Sequence, residues 1–175
     1  MISVIVVGKN SGISLDRLKQ SFHCKKNIWQ FDENRVAMNN LPPDILLMRC
    51  KRPAQLFLTR SILVVDTDPP ESPCSLTGEY IAIVRSDHTA GLDFLSNQKI
   101  PAITCGRSPQ DTITLSSFTE DSAVVCVQRP ICTLGGKTIE PSEFPLCDYT
   151  NTDPFSIMAN TAILLLCDCP PSGVQ

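Results

Sequence analysis

The sequence predicts an α/β fold: a mostly parallel, Rossmann-like sheet with helices on both faces and an antiparallel C-terminal extension. Three observations predict it. Apolar runs up to Cys105 are short, unbroken and rich in β-branched residues, as in strands covered on both faces. Segments with helical spacing or helix-opening residues lie between several of them. After Asp111, strand patterns follow one another without intervening helices. The 175 residues fit one domain over 1–175, with a parallel core over 1–110, antiparallel strands over 111–150 and a closing helix over 153–168.

Ile2-Ser-Val-Ile-Val-Val7 reads as a buried strand ending at Gly8. Residues 8–12 make a tight loop, and Ser14 caps a helix that sets Leu15, Leu18 and Phe22 on one face. Residues 23–40, which hold the single tryptophan Trp29, have a mixed pattern and receive no assignment. After Pro42-Pro43, residues 44–48 read as a strand, 53–59 as a short helix opened by Pro53, and 61–65 as a second buried strand closed by Asp66. The acidic, proline-rich residues 66–74 read as a surface loop.

Residues 80–84 form the next strand, and Ser86 or Asp87 caps a helix that turns Ala90, Leu92, Phe94 and Leu95 inward. Residues 101–105 give a further strand. Residues 112–116 alternate polar with apolar, 123–127 form a buried run, and 138–144 follow a Gly135-Gly136 turn. Asp153-Pro154 opens the closing helix, with Ile157, Ala162, Ile163 and Leu166 toward the core, and Pro170-Pro171 stops it.

Charge and cysteine usage exclude several functions. Fifteen basic residues against 18 acidic ones give a net charge of −3, and no basic block is present to neutralise a phosphate backbone, so nucleic acid is not an expected partner. No apolar run approaches the about 20 residues that a membrane helix needs, so no membrane association is expected. Nine cysteines, an odd number without a secretory signal, point to a cytoplasmic protein with reduced thiols. Cys105, Cys126 and Cys167 read as small apolar core residues. Cys167-Asp-Cys169 is the nearest approach to a metal motif. With no second cysteine pair and only His23 and His88 in the chain, no metal site is expected.

Two regions are candidate ligand sites. The loop Gly8-Lys9-Asn10-Ser11-Gly12 precedes a helix, where backbone amides attract anions. Asp66 and Asp68 follow one core strand, and Asp87 and His88 follow the next. Open parallel sheets bind ligands beyond such carboxyl ends. Each has a structural reading as well. Asp66-Thr-Asp-Pro69 suits a turn bonded to its own backbone, Asp87 suits a helix cap, and His88 suits an exposed imidazole. Gly135-Gly-Lys-Thr138 lacks the leading glycine and the following helix of a phosphate loop and reads as a hairpin. No catalytic residue and no cofactor is assigned.

The order of a glycine loop, a parallel core, an antiparallel annex and a final helix resembles the central ATP-binding domain of the Mur ligases, which join amino acids to peptidoglycan precursors. Residues 81–106 carry most of the likeness: a strand, the polar turn Ser86-Asp87-His88, a helix, and Ile100-Pro-Ala-Ile-Thr-Cys-Gly106. This last run resembles the family's strand ending in Thr-Tyr-Gly, with Cys105 in place of the tyrosine. The topology covers nearly the whole chain, and a few positions match in identity.

The departures matter for function. The family's loop reads Gly-Thr-Asn-Gly-Lys-Ser/Thr, whereas this one reads Gly8-Lys9-Asn10-Ser11-Gly12-Ile13. Gly8 and Asn10 match, Gly12 replaces the phosphate-binding lysine, and Ile13 replaces the magnesium-binding hydroxyl. Asp153-Pro154 and Ile157 stand where the family has His-Asn and a further Asn. The resemblance therefore implies a Mur-ligase-like domain without ATP-dependent ligation, acting as a module for a small anionic ligand or a protein partner. The alternative is a metal-dependent or acid/base enzyme that uses Asp66, Asp68, Asp87 and His88.

Overall fold

A computed structural model describes residues 1–8, 11–22, 26–33, 35–51, 55–57, 59–67, 75–120, 122–147 and 152–171. In chain order the elements begin with β1 (Ile2–Val7), α1 (Leu15–Ser21), β2 (Ile28–Asp32), β3 (Arg35–Ala37), β4 (Ile45–Cys50), β5 (Gln55–Phe57), β6 (Ser61–Val65), β7 (Ser75–Thr77) and β8 (Tyr80–Arg85). They continue with α2 (Thr89–Asn97), β9 (Ala102–Gly106), β10 (Ile113–Phe118), β11 (Ser122–Val127), β12 (Ile131–Cys132), β13 (Thr138–Ile139), β14 (Ser142–Cys147) and α3 (Pro154–Leu166).

This architecture overturns the helix-rich, Rossmann-like expectation. The protein is mostly β: a mixed ten-stranded sheet in the order β14-β11-β10-β9-β8-β6-β1-β4-β2-β3. The described helices have only 7, 9 and 13 residues. The physical reason lies in the connections. The crossover from β4 to β6 contains β5 and that from β6 to β8 contains β7, and these two short strands pair in parallel in a sheet of their own. Residues 55–57, read from the sequence within a short helix, are thus a strand. A single helical turn is costly to nucleate, whereas pairing with β7 satisfies the backbone directly. Pro53, the proposed helix opener, lies outside the described residues.

Within the large sheet, β1 runs parallel to β4 and β6, with Ile2 beside Ile45 and Ser3 beside Ser61. β8 is parallel to β6, and β9 to β8. The direction reverses beyond β10, which meets β9 in parallel at only two register pairs, Ile113 with Cys105 and Thr114 with Gly106, and is antiparallel to β11. β14 is antiparallel to β11. The region left unassigned in the sequence forms β2, parallel to β4, and β3, which turns back along β2 as the edge. Both edges are blunted against further pairing. β3 is three residues long, and β14 contains Pro145, which has no N–H to donate.

Alternate side chains divide the core. Val4, Val6, Ile62, Val64 and Ile83 face Leu15 and Leu18 of α1 and the whole of α3. Ile5, Val7, Leu63, Val65 and Val84 face the opposite side with Leu95 of α2. α3 is buried on every side from Phe155 to Leu166, including Ser156, Asn160 and Thr161. Its start follows the sequence signals: Asp153 accepts a hydrogen bond from the Ser156 N–H, and Pro154 opens the first turn. Ser14 caps α1 by accepting from Arg17 N–H.

α2 differs from expectation. β8 runs on to Arg85, so Ser86 and Asp87 are used in the turn, and His88 becomes the N-cap without a side-chain bond. Only Gly91 and Leu95 are buried; Ala90 is exposed, and Leu92 and Phe94 are half-buried. Gly136, at φ +84°, turns the hairpin between β12 and β13 as read from the sequence. Among the described residues no helix is long and apolar enough to cross a membrane. Cys50, Cys105, Cys126, Cys132 and Cys147 carry free thiols.

Candidate functional site

Because β1, β6, β8 and β9 are parallel, their carboxyl ends share one edge, and the start of α3 lies against it. The glycine loop leaves β1 there. Gly8 N–H bonds to the Cys50 carbonyl at 3.2 Å, and Ser11 Oγ accepts from Ile13 N–H at 3.2 Å. Gly12 N–H donates to Asp66 Oδ2 at 2.8 Å. A Cβ on Gly12 would lie 2.5 Å from Asp153 Oδ2, so a side chain here would have to displace the carboxylate that caps α3. Lys9, Asn10 and Asp68 lie outside the described residues.

Asp66 is 4% exposed. Besides the Gly12 bond, its Oδ1 lies 3.7 Å from a guanidinium nitrogen of Arg85. The register explains the contact: Val65 pairs with Val84, so the next residues, Asp66 and Arg85, leave the sheet side by side. Arg85 also reaches Asp87 Oδ1 through Nε at 3.4 Å and stacks over the Phe155 ring at 5.4 Å from its centroid. The expected residues Gly12, Asp66 and Asp87 are therefore linked, and Arg85, which the sequence reading did not select, links the two carboxylates. His88 stands apart. Its enclosed Nδ1 has no hydrogen-bond partner among the described residues and sits 2.6 Å from where a Gly91 Cβ would be.

A second cluster begins at the end of β9. Asp111 is 3% exposed and accepts from Ser108 N–H at 2.9 Å and Ser86 Oγ at 3.1 Å. Gly106 makes room for this, since a Cβ there would collide with Ser86 Oγ and Asp111 Oδ2. Burial and the Asp111 charge push the Cys105 thiol far above its ordinary range, so it stays neutral and is no nucleophile.

Between these clusters opens a cleft of about 830 Å³. Arg85, Ser86, Asp87, Arg107 and Ser108 give it polar sides, and Leu115, Phe118, Phe155 and Met158 give it an apolar wall. That combination of an apolar wall with a few polar groups is the usual chemistry of a small-molecule site. Among the described residues no three His, Cys, Asp or Glu side chains are grouped to hold a metal ion. At Cys167-Asp168-Cys169 both cysteines are buried, and Asp168 instead accepts from Thr133 Oγ1 at 3.0 Å.

No family model matches the chain, and no curated protein matches it.

Proposed function

We propose that this chain is a degenerate Mur-ligase-like module that binds a small ligand in the cleft above the carboxyl ends of β8 and β9 and performs no ATP-dependent ligation. The observation that carries the reading is the cleft itself, with Arg85 and Arg107 on its polar sides facing Phe118, Phe155 and Met158. The loop argues against nucleotide phosphates. Its Gly12 amide is already bonded to Asp66, and the Asp153 carboxylate stands close by, so two negative charges occupy the neighbourhood of the expected anion. An acid/base or metal-dependent enzyme has less support, because Asp66 and Asp87 both face the guanidinium of Arg85, a built-in cation.

Two measurements test the reading. Calorimetry with Mg-ATP should give no binding heat, and protein-observed NMR with a fragment library should place binders against Phe155, Met158 and Arg107. Micromolar Mg-ATP binding that disappears when residues 8–12 are changed would overturn the reading. So would a library that leaves the cleft resonances unmoved.

A further inference from the structure

The two walls of the cleft are built by identifiable local irregularities, and together they define a ligand chemistry. β10 alternates normally through Ile113, Thr114 and Leu115, with Ile113 and Leu115 opposite Val127 and Val125 on the α3 side. A bulge between Leu115 and Ser117 then shifts the register, so Ser117 pairs with Val124 and Phe118 with Ala123. Without the extra residue, Phe118 would point to the opposite face. With it, Phe118 returns to the α3 side and overhangs the cleft while 47% exposed, an unusual state for a phenylalanine whose neighbours Phe155 and Met158 are buried. The bulge therefore leaves an aromatic face open to the cavity.

The charged groups lining the cleft are Arg85 and Arg107 against Asp87 and Asp153, and the buried carboxylates Asp66 and Asp111 stand next to them. Arg85 is shared by Asp66 and Asp87, and Asp153 is bonded by Ser156. Asp111, behind the wall, is held by Ser108 and Ser86. Arg107 lines the same cleft and has no ion-pair or hydrogen-bond partner among the described residues, so its guanidinium is the cleft cation open to an incoming group. A dianion would bring a second negative charge toward Asp87 and Asp153. A neutral molecule would leave Arg107 without a counter-charge.

Resting on the ligand-binding reading above, we infer that the cleft takes a monoanion carrying a flat aromatic ring, the ring against Phe118 and the charge on Arg107. An aromatic carboxylate has this form; a phosphate monoester does not.

The test uses three probes on the full chain: 2-naphthoate, its neutral isostere 2-naphthamide, and the dianion 2-naphthyl phosphate. The carboxylate should bind about tenfold more tightly than either of the others, the size of one charge-assisted hydrogen bond. Arg107→Gln should bring naphthoate down to the affinity of the amide, and Phe118→Ser should weaken all three probes together. Both side chains are exposed, and unchanged unfolding midpoints will show that the variants fold. Equal affinities for naphthoate and naphthamide, or naphthoate binding unaffected by Arg107→Gln, overturn the monoanion inference and leave the cleft as a binding site. A cleft that takes library fragments but none of the three probes likewise overturns this inference alone. A cleft that takes neither overturns the ligand-binding reading with it.

Discussion

Gly12 donates its backbone N–H to a carboxylate oxygen of Asp66 at 2.8 Å, so a side chain of the protein itself fills the glycine loop where an external anion would be bonded. The bond joins the connection after β1 to the end of β6. Asp66→Ala should cost about 1–3 kcal/mol in urea unfolding, because it orphans a part-buried amide and leaves Arg85 with Asp87 alone. Asp66→Asn, which keeps an acceptor, should cost less. A loss below about 0.5 kcal/mol for the alanine variant would show that the bond contributes little.

Rebuilding the loop toward a phosphate-binding one should fail. Gly12→Lys places a Cβ where Asp153 Oδ2 would lie 2.5 Å away, and Asp153 is held as the cap of α3. The expected outcome is a destabilisation of about 1–3 kcal/mol from overpacking, with no gain of Mg-ATP binding by calorimetry, even when Ile13→Thr is added.

Gly106→Ala should destabilise by a similar amount, about 1–3 kcal/mol, because the new methyl would meet both Ser86 Oγ and Asp111 Oδ2. Removing the hydroxyl with Ser86→Ala should recover part of that loss, so the two changes will be non-additive in a double-mutant cycle. Strict additivity would mean that the crowding is relieved elsewhere.

Thiol chemistry should follow burial. In the native protein, iodoacetamide should modify the exposed Cys132 and Cys147 and spare Cys105 until the chain unfolds, read by mass spectrometry. The raised Cys105 pKa also has a sign. Below its ordinary value of 9.0 the thiol is neutral folded and unfolded, so its contribution is fully present. Above that, the unfolded chain ionises first, and stability is lost as pH rises toward the folded value. Wild-type unfolding free energy should therefore fall more steeply above about pH 9 than that of Cys105→Ala. Parallel curves would contradict the assignment.

Much of the strand content was legible because β1, β4, β6, β8 and β9 are unbroken apolar runs, and Ser14 and Asp153-Pro154 announced two helices. The class was not. Whether a parallel connection contains a helix depends on what its backbone can pair with, and β5 has no signal apart from its partner β7. β2 and β3 escaped assignment because an edge hairpin that is only half-buried keeps no clean alternation. Within the site, Gly12, Asp66 and Asp87 could be assigned to one edge from parallel direction alone. Arg85 needed the Val65–Val84 register, and Phe118 depended on a bulge whose extra residue leaves no mark in composition.

α3 is the last described element to leave the ribosome and, of the described helices, the one enclosed on all sides. Until Leu166 has been made, the nascent sheet must wait with Val4, Val64, Ile83 and Val125 facing solvent. Only a closure that waits for α3 can hide that surface, so chaperone demand should peak just before the helix emerges. Ribosome-stalled chains ending before Pro154 should be bound by holdase chaperones and cut by proteases, and those in which an added C-terminal linker carries Leu166 clear of the ribosome should escape both.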